Sequence, residues 1–174
     1  MTGSLNEILV EPISAENEMI LKEHLKRKMR SAARLSVLLL HAMEDRFGPE
    51  ARDVVHDMID KIELAPRPNM GDPEADLREF CANLDRGCAG SHEWERVTDQ
   101  PDCIAYHYSR CMWAEVYQEL GEPDLGLILC AGDEPAVKSY NSRLAFKRTK
   151  VLMKGDEVCD HVFYVDKCPA SGAE

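Results

Sequence analysis

The sequence predicts an α+β fold, with N-terminal helices packed on one face of a small antiparallel sheet that a C-terminal β-hairpin completes. Three observations carry this. Apolar residues recur every three or four positions up to about residue 90. They alternate through "SHEWERVTD" and "CIAYHYSR", and alternate again in "KRTKVLMKGDEVCDHVFY" at Lys147 to Tyr164. Helix and sheet are thus segregated along the chain instead of following the βαβ order of a parallel sheet.

The first helix is expected from Glu16 to about Phe47, where Ile20, Leu21, Leu25, Met29, Ala32, Leu35, Leu39 and Met43 form an apolar series closed by Gly48 and Pro49. A second helix, from about Pro49 to Leu64, carries Val54, Val55, Met58, Ile59 and Ile62. "APRPNMGDP" breaks the chain, and "EADLREFCANLDR" resumes as a helix that buries Leu77, Phe80, Cys81 and Leu84. After the two strands, "CMWAEVYQELGEPDLGLILCAGDEPAVKSY" returns to helical spacing, broken by Gly121 and Pro123. The expected organisation is a flexible N-terminus over residues 1–15 and one domain over 16–166, followed by a tail over 167–174. Within that domain a helical half spans about 16–90 and a sheet-containing half about 91–166.

Composition narrows the function. The net charge is −11 and the sequence pI about 5.0, which disfavours phosphate backbones and anionic membranes. The basic cluster Lys22 to Arg30 reads as a solvated helix face. The longest apolar stretch, "LSVLLLHAM", is too short to span a bilayer. Seven cysteines occur, an odd number, with no C-x-x-C and no secretory signal in "MTGSLNEILVEP". A cytoplasmic protein with free thiols is the expectation. Its partners would be a small-molecule substrate, with neither nucleic acid nor membrane, and a second copy docking on the helical half.

The closing hairpin raises the chemical question. A turn at Gly155-Asp156 sets Leu152 opposite Cys159, Lys150 opposite His161 and Arg148 opposite Phe163. Arg148, Lys150, Cys159, His161 and Phe163 then share one surface, and Thr149, Val151, Asp160 and Val162 the other. A fixed cation beside a thiol favours the thiolate, and the same cation grips a carboxylate. The plainer reading makes Cys159 a small buried hydrophobe and Arg148 a solvating edge charge.

The stretch "HYSRCMWAEVYQELGEPDLGLILCAGDEPA", followed by "FKRTKVLMKGDEVCDHVFY", resembles the L-2-amino-thiazoline-4-carboxylic acid hydrolase family. The matching positions are Tyr108, Cys111, Gly121, Cys130, Asp133, Arg148, Thr149, Gly155, Cys159, Asp160 and Phe163. His161 departs from the pattern, which usually carries Phe there. The resemblance implies a hydrolase that opens a carboxylated cyclic isothiourea to a carbamoyl amino acid, without a cofactor.

That chemistry needs a nucleophile or a positioned water, a proton handler and a cation for the substrate carboxylate. Cys130 and Asp133, three residues apart at the end of an apolar helix, are candidates for the first two. Cys159 and Asp160 are a second pair, of which only one can face a given pocket. Cys111, at the start of a helix, meets the positive end of its dipole. The candidate set is therefore Cys111, Cys130, Asp133, Cys159 and Asp160 for catalysis, with Tyr108, Arg148, Thr149 and His161 for substrate binding. His41, His56, His92 and His107 read as structural or exposed, Cys81 and Cys88 as core, and Cys103 and Cys168 carry no argument. Zinc or iron held by Cys111, Cys130 and Cys159 is the alternative, as is a small-molecule or metal sensor without turnover.

Overall fold

A computed structural model describes residues 3–59 and 61–166. Among the described residues six α-helices and four strands follow one another: α1 (Ala15–Phe47), α2 (Glu50–Ile59), α3 (Pro73–Cys88), β1 (His92–Gln100), β2 (Cys103–Cys111), α4 (Met112–Glu119), α5 (Pro123–Ala131), α6 (Asp133–Tyr140), β3 (Leu144–Lys147) and β4 (Cys159–Val165). The strands form one antiparallel sheet in the order β1-β2-β4-β3. The α+β expectation holds. Cys168 lies outside the described residues.

The helix ends have local causes. Ser14 caps α1 by accepting the Asn17 N–H, and Gly48, at φ +94°, ends it. Asp72 caps α3 by accepting the Glu74 and Ala75 N–H groups ahead of Pro73. Pro123 opens α5, and Gly132 separates α5 from α6, a break additional to those expected at Gly121 and Pro123.

One face of the sheet is the core. Ile104, Tyr106 and Tyr108 of β2 alternate inward with Trp94, Cys159 and Phe163, while Glu95 and His107 point outward. Leu77 and Cys81 of α3 are fully buried, and α3 packs on β2 and β4. Met112, Val116 and Tyr117 of α4 continue the core toward α1 and α5. Buried Asp76 accepts the Gly71 N–H and the Asn141 side-chain amide, each at 2.8 Å. That pair ties the start of α3 to the junction of α6 and β3.

Three expectations are corrected. The buried side of α1 is Met29, Ala33, Val37 and Leu40, whereas Ile20, Leu21, Leu35, Leu39 and Met43 are exposed. The helix carries two apolar stripes, and only the one through Met29, Ala33, Val37 and Leu40 packs against α2 and α4. The second helix stops by Ile59 instead of reaching Leu64, and residues 61–72 contain no further helix. The hairpin has no two-residue turn at Gly155-Asp156: β3 ends at Lys147 and pairs with β4 as Ala145 with Tyr164 and Phe146 with Phe163.

Side-chain acceptors account for the lost strand. Asp160 accepts the N–H groups of Thr149 (2.8 Å) and Lys150 (2.5 Å), and Asp156 accepts that of Val151 at 2.7 Å. These carboxylates take donors that a ladder would have used. A short 3-10 turn at Leu152–Lys154 then ends at Gly155, whose φ of +91° suits a residue without Cβ. The register differs from the expected one by two residues, so each side chain keeps its face.

Candidate active site

Where β2 and β4 end near α3, α4, α5 and the segment 148–158, the core opens into a cavity of about 300 Å³. Tyr108 from β2 and Cys159 and His161 from β4 form the floor, for they occupy the inward positions of their strands. Cys111 enters from the junction between β2 and α4, Cys130 and Asp133 from the break between α5 and α6, and Arg148 from just beyond β3. Cys88, His92, Trp113 and Met153 complete much of the wall. Residues far apart in sequence thus meet on one surface.

Arg148 organises the charge. Its guanidinium pairs with the Asp133 carboxylate, donates to the Cys130 carbonyl at 3.2 Å and lies 3.5 Å from His161 Nε2. Burial raises the Asp133 carboxyl above its usual range, and the Arg148 charge opposes that rise. Burial likewise pushes the Cys130 thiol up to about 12, offset only in part by Arg148. Cys159 is raised by burial too, against the Leu152 N–H that donates to its sulfur at 3.1 Å and against Arg148. Cys111 rises to about 11 through burial, opposed by the Ala114 and Trp113 N–H groups at the start of α4. In the resting cavity these sulfurs are neutral thiols.

The two cavity histidines are neutral as well. Burial, joined by the Arg148 charge, lowers His161 to about 3. Burial lowers His92 to about 4. Ser91 Oγ donates to the Cys88 carbonyl at 3.1 Å and lies 2.8 Å from His92 Nδ1. With its one proton so used, Ser91 accepts from Nδ1–H, which leaves Nε2 of His92 as the basic nitrogen. Tyr108 stands between the two imidazoles, with ring centroids at 5.8 Å from His92 and 4.8 Å from His161. Burial pushes the Cys88 thiol up, and the buried Tyr108 hydroxyl beside it opposes that rise.

Of the nine sequence candidates, seven line this cavity: Tyr108, Cys111, Cys130, Asp133, Arg148, Cys159 and His161. Thr149 and Asp160 do not. They lie on the other side of the strand, where Thr149 donates to Asp160 through both its backbone and its hydroxyl. Although burial alone would raise it, these bonds and the Lys150 N–H bring Asp160 down to about 2. Cys88, His92 and Trp113 were passed over by the sequence reading. The signal for His92 was its two-residue spacing from Trp94 on an inward-facing strand. Cys88 offered none, since its face depends on how α3 meets β2. Lys150, placed on the reactive face by the expected hairpin, is exposed and outside any strand.

The metal alternative finds no ligand set. Among the described residues, no three His, Cys, Asp or Glu side chains converge closely enough to hold a metal ion. Cys111, Cys130 and Cys159 share the cavity without gathering around one point.

Comparison with curated proteins gives no match. The profile of the L-2-amino-thiazoline-4-carboxylic acid hydrolase family matches residues 27–163, far beyond the stretch on which the resemblance was first read. Running from within α1 to the buried Phe163 of β4, and so taking in every wall of the cavity, that match shows that the chain belongs to the L-2-amino-thiazoline-4-carboxylic acid hydrolase family.

Proposed function

We propose that the protein opens the ring of a small carboxylated cyclic isothiourea of the 2-amino-thiazoline-4-carboxylate class, yielding a carbamoyl amino acid. The observation that carries this reading is the Arg148–Asp133 ion pair in the wall of a thiol-lined cavity. Such a substrate bears a carboxylate at one end and an amidine-like N–C–N group at the other. The two halves of the ion pair complement those ends: Arg148 takes the carboxylate and Asp133 the amidine nitrogens.

Cys130 adds through sulfur to the ring carbon between sulfur and nitrogen, and its proton passes to Asp133. The ring C–S bond breaks and the departing sulfur takes that proton. Water adds to the same carbon, the bond to Cys130 breaks, and a proton returns to Sγ. One water is consumed and the product carries a free thiol. Cys130 is chosen because Arg148 acts on it most directly after burial, and because Asp133 follows three residues later. Its raised thiol makes Asp133, itself made more basic by burial, the natural proton acceptor. His92, which lines the same cavity, would orient the water. The free cysteines among the described residues fit a reducing, cytoplasmic setting.

The test is thiol release from 2-amino-thiazoline-4-carboxylate by the protein and its Cys130→Ala, Cys159→Ala and Cys111→Ala variants, with intact-mass detection of a covalent adduct. Loss of turnover and of the adduct in Cys130→Ala alone is the expected result. Turnover retained by all three variants would end covalent thiol catalysis. Tight binding without turnover would favour a ligand-binding module instead.

A further inference from the structure

A second apolar stripe runs along α1, on the side opposite Met29, Ala33, Val37 and Leu40. Leu35 is 61% exposed, Leu38 54% and Leu39 58%, and Met43 one turn on is 38% exposed. Isolated exposed leucines are ordinary, but a continuous row of them on one helix marks an interaction surface.

The charges along the row indicate what covers it. Beside the row α1 carries Arg34 in its first half and Asp45 in its second, while Lys26 and Arg30 pair with Glu115 and Glu119 of α4, Glu44 pairs with Arg52, and Arg46 follows Asp45. Arg34 and Asp45 form no ion pair among the described residues. Eleven residues separate them, which is three turns at about 3.6 residues each, so both stand on the same flank of the apolar row. A twofold axis perpendicular to the helix keeps that flank on the same side in both copies. The charge pattern is therefore complementary to itself when reversed.

We propose that α1 pairs antiparallel with α1 of a second copy of this chain, about an axis near Leu39. Residues whose numbers sum to about 78 or 79 then meet. Leu39 packs on Leu39, Leu35 faces Met43, and each Arg34 faces Asp45 of the other copy. The interface is isologous, so a closed dimer forms and growth stops there. A parallel pairing would set Arg34 beside Arg34 and Asp45 beside Asp45 and is disfavoured. A membrane is a poorer occupant, since the net charge of −11 opposes anionic lipid.

Sedimentation velocity on the purified chain tests this without reference to catalysis. At tens of micromolar the protein is expected at twice its 19.7 kDa chain mass. Leu39→Glu should sediment as a monomer with unchanged far-UV circular dichroism, which the exposed position permits. Arg34→Glu and Asp45→Arg should each weaken dimerisation about tenfold or more, and the double variant Arg34→Glu/Asp45→Arg should restore it. A monomeric parent, or a dimer that survives Leu39→Glu, overturns the proposed surface. Failure of the double variant to regain affinity overturns the antiparallel arrangement.

Discussion

At the scale of single residues, the Arg148–Asp133 pair makes the sharpest demands. Arg148→Lys keeps the charge but loses the planar fork, so kcat/KM should fall mainly through KM, by about tenfold or more. Asp133→Asn should lower kcat by about a hundredfold, in line with removal of a proton handler. Steady-state kinetics on a thiol-release assay separate the two effects. His161 carries a stability consequence. Its pKa falls from 6.5 to about 3 on folding. The unfolded chain therefore binds a proton that the folded chain refuses, and stability falls as pH drops through that window. Above pH 6.5 the contribution is constant. His161→Phe, which keeps an aromatic ring beside Phe146 and Phe163, should lessen this acid sensitivity by a few kcal/mol, on the order of one per pKa unit. Urea unfolding midpoints at pH 7 and pH 4.5 would show the difference. Much of this chemistry was legible because strand parity survives an error of two residues: Arg148, Cys159 and His161 share the cavity although the turn between them was misplaced. His92 was harder to read: its two-residue spacing from Trp94 gives its side of the strand, but nothing local names Ser91 and Tyr108 as its neighbours.

At the scale of elements, close packing and buried polar pairs set the tolerances. A Cβ at Gly126 in α5 would lie 2.6 Å from Met153 Sδ and 2.8 Å from Tyr117 Cγ. Gly126→Ala should therefore destabilise the protein by about 1–3 kcal/mol despite alanine's better helix propensity. Asp76→Ala strands the Gly71 N–H and the Asn141 amide in the interior, with a loss on the order of 3 kcal/mol. Chemical denaturation measures both, and midpoints equal to the parent's would contradict this account of the packing. The helices themselves were legible from periodicity and caps. What periodicity leaves open is which of two apolar stripes turns inward. On α1 the row through Leu35 and Leu39 is as regular as the row through Met29, Ala33, Val37 and Leu40, and only α2 and α4 decide between them. The hairpin was misjudged for a different reason: the alternation of residues 148–154 is real, but Asp156 and Asp160 satisfy the backbone there before a strand can.

At the scale of the molecule, the cavity belongs to no single element, which is why no stretch of sequence announces it. It exists because β2, β4, α3, α4 and the break between α5 and α6 converge at one end of the sheet. The dimer proposed through α1 also acts at this scale. If two copies associate before they unfold, the melting temperature should rise with chain concentration, whereas that of Leu39→Glu should not. Scanning calorimetry over a hundredfold range of concentration distinguishes the two. None of the described helices is long and apolar enough to cross a membrane. The segment that leads from β3 back to β4 has one more consequence. The amide hydrogens of Thr149, Lys150 and Val151 are held by carboxylate oxygens, not by a neighbouring strand. In deuterium exchange the protection of Thr149 and Lys150 should track the titration of Asp160, and acid near its pKa of about 2 should strip it from this edge of the cavity while the amides of β2 still resist.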